Sequence, residues 1–562
     1  MDRRSFLRTG IGAAGATLAG GAVPVAAWDR YDLVLRGALV FDGLGSPPVE
    51  GDVAVRAGRI AAVGRLGTPP RGTPVLELGG LALAPGFIDI HSHADLTLLV
   101  NHRAESRVRQ GVTTEVTGQD GASIGPWRPE QARAVASEYR EKYGIDLDFH
   151  DLRGFFARLE REPPSVNVAS MVGQGTIRGF VVGQDDRPAT PEELERMQAA
   201  LRAALAAGAC GLSSGLEYTP GAFATPREIG ALAGVLRGTG LPYATHMRNE
   251  DERLAAAVEE AIGTAHRAGV PLQISHLKAQ GQRNWWKTEP VIGAIHAARA
   301  AGVDVLFDVY PYVAYSTGLA NLFPLALRDG GTDAFLERLR QPATLAVAEA
   351  AVREKVAELG SWDSVQITST HSDELAWARG RRLGELAAQR GEDPFALLLF
   401  LVLEDRNRAG MVGFGMSEEN VERKLADPLS IVCSDGGAWA PYGPLAEGSP
   451  HPRAYGAFPR VLGHHVRARK LLTLEAAIRK MTSAAADRVG LPDRGRIAVG
   501  AVADLVAFDP ATVEDAATFE APHRYPTGIP HVLVGGVFVI RDGEHTGARA
   551  GRVVRPATPP LG

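Results

Sequence analysis

The chain has 562 residues, 45% hydrophobic and 22% charged, with a formal net charge of −5. This is a globular composition, long enough for a large core with satellite units. An acidic balance with no basic stripe after residue 30 excludes a surface built to grip nucleic acid.

The N-terminus carries Arg3-Arg4, followed by Ser5-Phe6-Leu7-Arg8 and an uncharged Gly/Ala-rich run from Thr9 that ends at Val25-Ala26-Ala27. A twin arginine ahead of a mildly apolar run and a small-residue cleavage site resembles a twin-arginine export signal. Residues 1–28 are therefore expected to be a signal read by the twin-arginine export machinery, with a periplasmic or extracellular destination. No later apolar stretch approaches the ~20 residues needed to span a bilayer. Cys210 and Cys433 do not make a disulfide scaffold and read more readily as two buried thiols than as one bridge.

Residues 29–84 alternate in short strand-like runs punctuated by glycine, among them Leu33-Val34-Leu35, Val53-Ala54-Val55 and Ile60-Ala61-Ala62-Val63. From Pro85 the rhythm changes. Strand candidates at 112–117, 166–171, 210–214, 241–246, 271–276, 303–309 and 430–434 alternate with helical stretches at 191–207, 251–267, 289–301, 334–359 and 384–403. This pattern predicts a parallel α/β domain over 85–485. Polar residues close strand after strand, which favours a β/α barrel, where sites form at the C-terminal strand ends, over an open doubly wound sheet. The stretch 313–410 is too long for one loop and is expected to hold an insertion or lid. Residues 486–562 return to short strands and are expected to complete a small β domain with 29–84.

His91-Ser92-His93 follows the run Phe87-Ile88-Asp89, and the strand period of two turns both imidazoles to one side. His246 closes Tyr243-Ala244-Thr245, and His276 closes Gln273-Ile274-Ser275. Four histidines at three strand ends call for a metal, and neutral imidazoles suit zinc. Asp435, after Ile431-Val432-Cys433-Ser434, is placed to touch that metal and to move a proton. The segment Gly118-Gln119-Asp120-Gly121 offers Asp120 as a metal-facing carboxylate, while Glu115, inside the strand, reads as a buried structural acid. Asp89 and Asp95 are candidates for supporting hydrogen bonds.

Several segments together carry a recognisable pattern. They are Pro85-Gly86-Phe87-Ile88-Asp89-Ile90-His91-Ser92-His93, Gly111-Val112-Thr113-Thr114, Gly211-Leu212-Ser213-Ser214-Gly215-Leu216-Glu217-Tyr218, His246-Met247-Arg248, Ser275-His276-Leu277-Lys278, Asp308-Val309-Tyr310-Pro311-Tyr312, Ser434-Asp435-Gly436 and His451-Pro452-Arg453. With them the sequence resembles the amidohydrolase superfamily and, within it, the N-acyl-D-amino-acid deacylase (D-aminoacylase) family, over about residues 31–550. The resemblance implies a distorted (β/α)8 TIM-like barrel flanked by a small composite β-sandwich domain. It implies one or two Zn2+ ions held by His91, His93, His246, His276 and Asp435, with Asp435 as general base and acid. It implies that Lys278 and Arg453 grip a substrate carboxylate, for which the planar fork of Arg is well suited. Tyr218 and Tyr310 or Tyr312 would line the substrate or support the oxyanion. The implied reaction is hydrolysis of N-acyl-D-amino acids, or related D-residue compounds, by metal-activated water.

The sequence departs from the family at one turn. Relatives carry Cys in a Gly-Asn-Cys-Gly turn as a metal ligand, and here Asp120 stands in that place. Neither does Ala209-Cys210-Gly211-Leu212-Ser213-Ser214 contain a lysine that could be carboxylated to bridge two metals, as in many superfamily members. Asp120 would have to substitute for both. Dipeptidase, cyclic amidase or deaminase chemistry would use much of the same constellation. A non-enzymatic binding protein on a relic barrel would dispense with the metal, and a metal-free glycosidase would leave four histidines unexplained.

Overall fold

The structure, a computed structural model, describes residues 31–557. The expected export signal, residues 1–28, lies outside the described residues. No helix among the described residues is long and apolar enough to cross a membrane.

Eight parallel strands form the barrel. They are β1 (Phe87–Asp89), β2 (Val112–Thr117), β3 (Asn167–Ser170, resuming as Val172–Gly173 after Met171), β4 (Leu212–Gly215), β5 (Tyr243–His246), β6 (Leu272–Ile274), β7 (Val305–Val309) and β8 (Ser430–Val432). Two arcs make the wall: β1-β2-β3, and the second half of β3 followed by β4-β5-β6-β7-β8. The break at Met171 divides β3 between the arcs. The ring closes just beyond the strands, where Ser92 bridges Gly436, Asp435 N donates to His91 O at 2.9 Å and His93 N donates to Gly436 O at 3.0 Å. Closure therefore runs through the two segments that carry the catalytic candidates, and it explains why this barrel is distorted at that seam.

Nearly every barrel-strand residue is buried, as expected of strands covered on both faces. The polar ones are satisfied internally. Ser213 Oγ donates to Gly118 O at 2.6 Å, and Ser214 Oγ lies 2.8 Å from both Tyr243 Oη and Thr245 Oγ1. These bonds tie β4 to the β2 end and to β5 at the depth where the site begins.

The helices follow local chemistry. Pro191–Ala207 matches its expected span, with a Thr190/Glu193 capping box, Pro191 in the first turn and Gly208 in the left-handed stop position. The helical stretch expected over 334–359 holds two helices, Thr332–Leu339 and Pro342–Leu359, and that over 384–403 also holds two, Leu383–Arg390 and Pro394–Glu404. Pro342 and Pro394 lack the amide hydrogen that a continuing helix needs, and each starts a new one. These four helices belong to the insertion. Its sheet is antiparallel, with Gly410–Gly413 between Tyr315–Gly318 and Val365–Ser369, so the insertion runs a few residues past 410.

Strands from both chain ends share one nine-stranded sheet, in which Leu505–Phe508 pairs antiparallel with Ala82–Pro85. Leu33, Leu35, Val53, Val55, Ile60, Leu505, Ala507 and Leu533 pack as its separate core. The last described segment does not stay with that sheet. Val553 bridges Val168, and Arg552 O and Val554 N bond the backbone of Val168, so the chain end returns to β3 of the barrel.

Candidate metal centre and active-site cleft

Every metal-ligating candidate lies at the C-terminal mouth of the barrel. The strands end one to three residues before most of them, and Asp120, His276 and Asp435 take left-handed φ of 53°, 32° and 51° in the turns that follow. Backbone strain of this kind persists where surrounding contacts over-determine it. In the Gly118–Gly121 turn, a side chain at Gly118 would strike Met171 O at 2.1 Å and one at Gly121 would strike Gly215 N at 2.6 Å. The two glycines thus let the turn press against β3 and β4 and drive Asp120 to the centre.

Asp120 faces all four histidines. Its Oδ1 is 3.4 Å from His91 Nε2, and its Oδ2 is 3.5 Å from His93 Nε2, 3.6 Å from His246 Nδ1 and 3.2 Å from His276 Nε2. Two ligand groups result, sharing Asp120: His91, His93, Asp120 and Asp435, and Asp120, His246 and His276. Asp435 Oδ1 lies 3.0 Å from His93 Nε2, and its Oδ2 pairs with Arg453 Nη1 at 2.7 Å.

The donor set fits a divalent cation. His91 is fully buried, yet neither of its ring nitrogens nor Asp120 Oδ1 has a hydrogen-bond partner among the described residues. Buried polar atoms are normally paired, and imidazole nitrogens converging on carboxylate oxygens are zinc-type ligands. His91, His93, Asp120, His246, His276 and Asp435 are the residues that would hold one or two ions.

Without metal, burial disfavours the charged imidazole of His93, but Asp120 and Asp435 outweigh it and hold the pKa up at about 9. Burial likewise opposes charge on His246, and Glu250, Asp120 and Glu217 raise it to about 10. Metal must displace these protons, so zinc affinity is expected to rise with pH from 6 to 9, with proton release on binding. The stability consequence has a definite sign. Folded pKa values above the unfolded value of about 6.5 contribute stability that is fully present below pH 6.5 and lost as pH rises through 9 to 10. Chelator-treated protein should therefore lose Tm between pH 7 and 10 faster than zinc-loaded protein, and parallel Tm–pH curves would contradict this.

A buried ion-pair network supports the seam. Arg107, fully buried, donates Nε to Glu115 Oε1 at 2.7 Å, Nη2 to Ser434 Oγ at 2.9 Å and to Asp89 Oδ2, and Nη1 to Ala454 O at 3.2 Å. Asp89 Oδ1 accepts from Ser434 N at 2.9 Å and from His91 N at 3.3 Å. Burial pushes Glu115 up to about 7 despite Arg107. Arg107→Met would leave buried carboxylates unpaired and is expected to cost about 3–5 kcal/mol, read as a lowered urea midpoint. Glu115 is thus a structural acid, and Asp95 Oδ1 holds the Asp120 turn by accepting from Gly118 N at 3.1 Å.

The cleft above the centre measures about 540 Å³, the size of a small-ligand site, and includes Tyr218, Lys278, Arg453, Trp439 and Lys355 on its walls. Tyr218 leans against His246 with the ring planes tilted by 59° and the centroids 4.7 Å apart. Burial, then Asp120 and Glu217, hold its phenol well above the ordinary range, so it remains an O–H donor. Lys278 reaches the wall, but its ammonium is not free: Nζ donates to both Glu250 oxygens at 2.8 Å. The expectation for the other tyrosines needs correction. Tyr310 lies behind the wall, under Arg453 at 4.7 Å, and Tyr312 packs against His451 and Phe519, with its hydroxyl beside Gly456 rather than in the cleft. Both tyrosines follow β7, where the chain turns outward into the insertion.

Three contributors were not singled out from sequence. Asp308, on β7, accepts from His276 N at 2.7 Å and faces His91 Nδ1 at 3.4 Å, and the strand-end rule that found the histidines points to it as well. Glu250, fully buried, lies 3.2 Å from His276 Nδ1 and 3.6 Å from His246 Nε2. His451 Nδ1 accepts from Arg453 N at 3.0 Å, while its Nε2 bonds Ala314 O at 2.9 Å, which sets the tautomer and the start of the Arg453 helix. Glu250 and His451 lie in loops, where no periodicity marks them. Cys210 and Cys433 are buried free thiols.

Histidines and carboxylates converging at the mouth of a β/α barrel define a metal-dependent hydrolase scaffold. The model described as Amidohydrolase family matches residues 75–540. The chain is 37% identical to the D-aminoacylase of Alcaligenes xylosoxydans xylosoxydans, covering 93% of this chain and 97% of that protein. It is also 37% identical to the N-acyl-D-glutamate deacylase of the same organism, covering 94% and 97%. The solved N-acyl-D-glutamate deacylase of Bordetella bronchiseptica, complexed with zinc and a phosphonate inhibitor that mimics the tetrahedral intermediate, superposes with a TM-score of 0.79 at 33% identity, over 94% of this chain and 100% of that one. The chain belongs to the amidohydrolase family, among its D-aminoacylases.

Proposed function

We propose that this protein is a zinc-dependent N-acyl-D-amino-acid deacylase. The observation that carries the reading is the placement of Asp120 and Asp435 among four strand-end histidines, in a chain matching D-aminoacylase relatives over nearly its whole length. Zinc bound there supplies a Lewis acid and a lowered pKa for water.

The protein's own groups do the rest. Burial opposes ionisation of Asp435, but Arg453 and then the histidines outweigh it and hold its carboxyl well below the usual range. It therefore enters the reaction as a carboxylate, takes the proton of the attacking water and returns it to the leaving nitrogen. The protonated Tyr218 donates to the developing oxyanion. Arg453, beside Asp435 on the cleft wall, anchors the α-carboxylate, while Lys278 holds His276, directly at Nδ1 (2.6 Å) and together with Glu250.

The test compares kcat/KM for N-acetyl-D-amino acids, their L-enantiomers, dipeptides and hydantoins. At least about a 100-fold preference for the D-amides, some 2.7 kcal/mol in the transition state, supports the reading. Faster turnover of dipeptides or cyclic amides sinks it. Activity should disappear on chelation and return with zinc.

The Arg3-Arg4 signature supports export of the enzyme by the twin-arginine route. Replacing both arginines by lysine should retain the protein in the cytoplasm, and unchanged export would contradict this.

A further inference from the structure

A second histidine–carboxylate cluster lies outside the barrel mouth. Glu418 and Glu422 stand one turn apart on the helix Glu418–Ala426, which puts them on one face. His464 and His465 sit in the π-helical segment Val461–Ala468, where Arg469 N donates to His464 O at 2.8 Å in a widened turn. Such turns are rare and concentrate at functional sites. One ligand atom from each of the four residues lies within 4.8 Å of the others. His464 Nε2 is 3.5 Å from Glu418 Oε1, and the two imidazoles meet edge to face with centroids 4.7 Å apart.

Two observations set this cluster apart from an ordinary surface ion pair. His465 is 0% exposed, and neither of its ring nitrogens has a hydrogen-bond partner among the described residues. Glu418 Oε1 likewise makes no hydrogen bond among the described residues, its ion-pair neighbours being His464 Nε2 at 3.5 Å and Arg460 Nη2 at 4.0 Å. Burying an imidazole with both nitrogens unpaired is costly. Arg469 grips Glu422 at 2.7 and 3.0 Å, which orients that carboxylate and leaves it further lone pairs.

We propose that Glu418, Glu422, His464 and His465 form a second, structural site for a divalent transition cation of the zinc type, separate from the catalytic centre. Two imidazoles and two carboxylates are a common donor set for such ions. The helix Glu418–Ala426 leads into β8 and Asp435. The π-helical segment continues the helix that begins at Arg453. A cation here ties together the two elements that present Asp435 and Arg453 to each other.

The test uses the full-length protein dialysed against excess zinc, with bound zinc counted by elemental mass spectrometry. The comparison is a Glu418→Gln, His464→Asn double variant, whose side chains are 40% and 36% exposed in the native protein. Wild type is expected to carry one zinc equivalent more than the variant and to show a larger zinc-dependent rise in Tm. If the double variant fails to fold, His464→Asn alone is read the same way. Equal zinc content and equal Tm gains in wild type and a folded variant overturn the site, whatever the catalytic centre binds.

Discussion

Asp435→Asn is expected to lower kcat by about 10³-fold, within the 10²–10⁴ range for loss of a positioned acid–base group, with KM changing far less. The substitution is well defined because asparagine keeps the shape and tolerates the left-handed backbone at φ 51°. The anion alone is lost. His93 at 3.0 Å and Arg453 at 2.7 Å each lose a charged partner, and an unpaired buried guanidinium costs some stability. Metal should stay, since His91, His93, Asp120, His246 and His276 are untouched. The measurement pairs steady-state kinetics with metal content and a denaturation curve. Activity within tenfold of wild type, at equal metal content, removes Asp435 from the proton-transfer role.

The second large effect is expected at Asp120. Its two oxygens are the groups that reach both ligand sets, so Asp120→Asn should weaken zinc binding by about 100-fold or more, beyond the 10–100-fold typical of supporting residues. Activity at limiting zinc should fall in step and partly recover with excess metal. Asparagine again suits φ 53°, whereas Asp120→Ala adds about 1–2 kcal/mol of left-handed strain, visible in urea unfolding apart from the metal effect. Asp120→Cys, which puts a thiolate in the same turn, should keep zinc tightly bound, because thiolate is a good ligand for that ion. Unchanged zinc affinity in Asp120→Asn would show that the carboxylate is not a ligand.

The barrel, the insertion and the histidine set were legible in the chain because they rest on local rules. Strand runs ended in polar residues at a regular interval, and a barrel gathers its strand ends at one mouth. His246 and His276 were found in this way, and Asp308 obeys the same rule. The helix expected over 191–207 was found there, closed by the Thr190/Glu193 box and Gly208. Pro342 and Pro394 divide two others that the apolar pattern had run together, because a prolyl residue has no amide hydrogen to continue a helix.

Tertiary structure alone decided how charges are shared. The sequence shows Lys278 and Arg453 as two free cations, but folding gives Lys278 to Glu250 and Arg453 to Asp435. Partner choice of this kind depends on loops brought together across long separations, for which chain periodicity has no signal. Tyr310 and Tyr312 read alike in the chain, yet both are turned from the cleft as the chain leaves β7. Arg107 shows the point most clearly: an arginine in a short helix became the buried centre joining Asp89, Glu115 and Ser434. The residue types at the metal centre were thus determined by the sequence itself. Their mutual distances, and the central place of Asp120 among four imidazoles, were decided by the packing of the Gly118–Gly121 turn against β3 and β4.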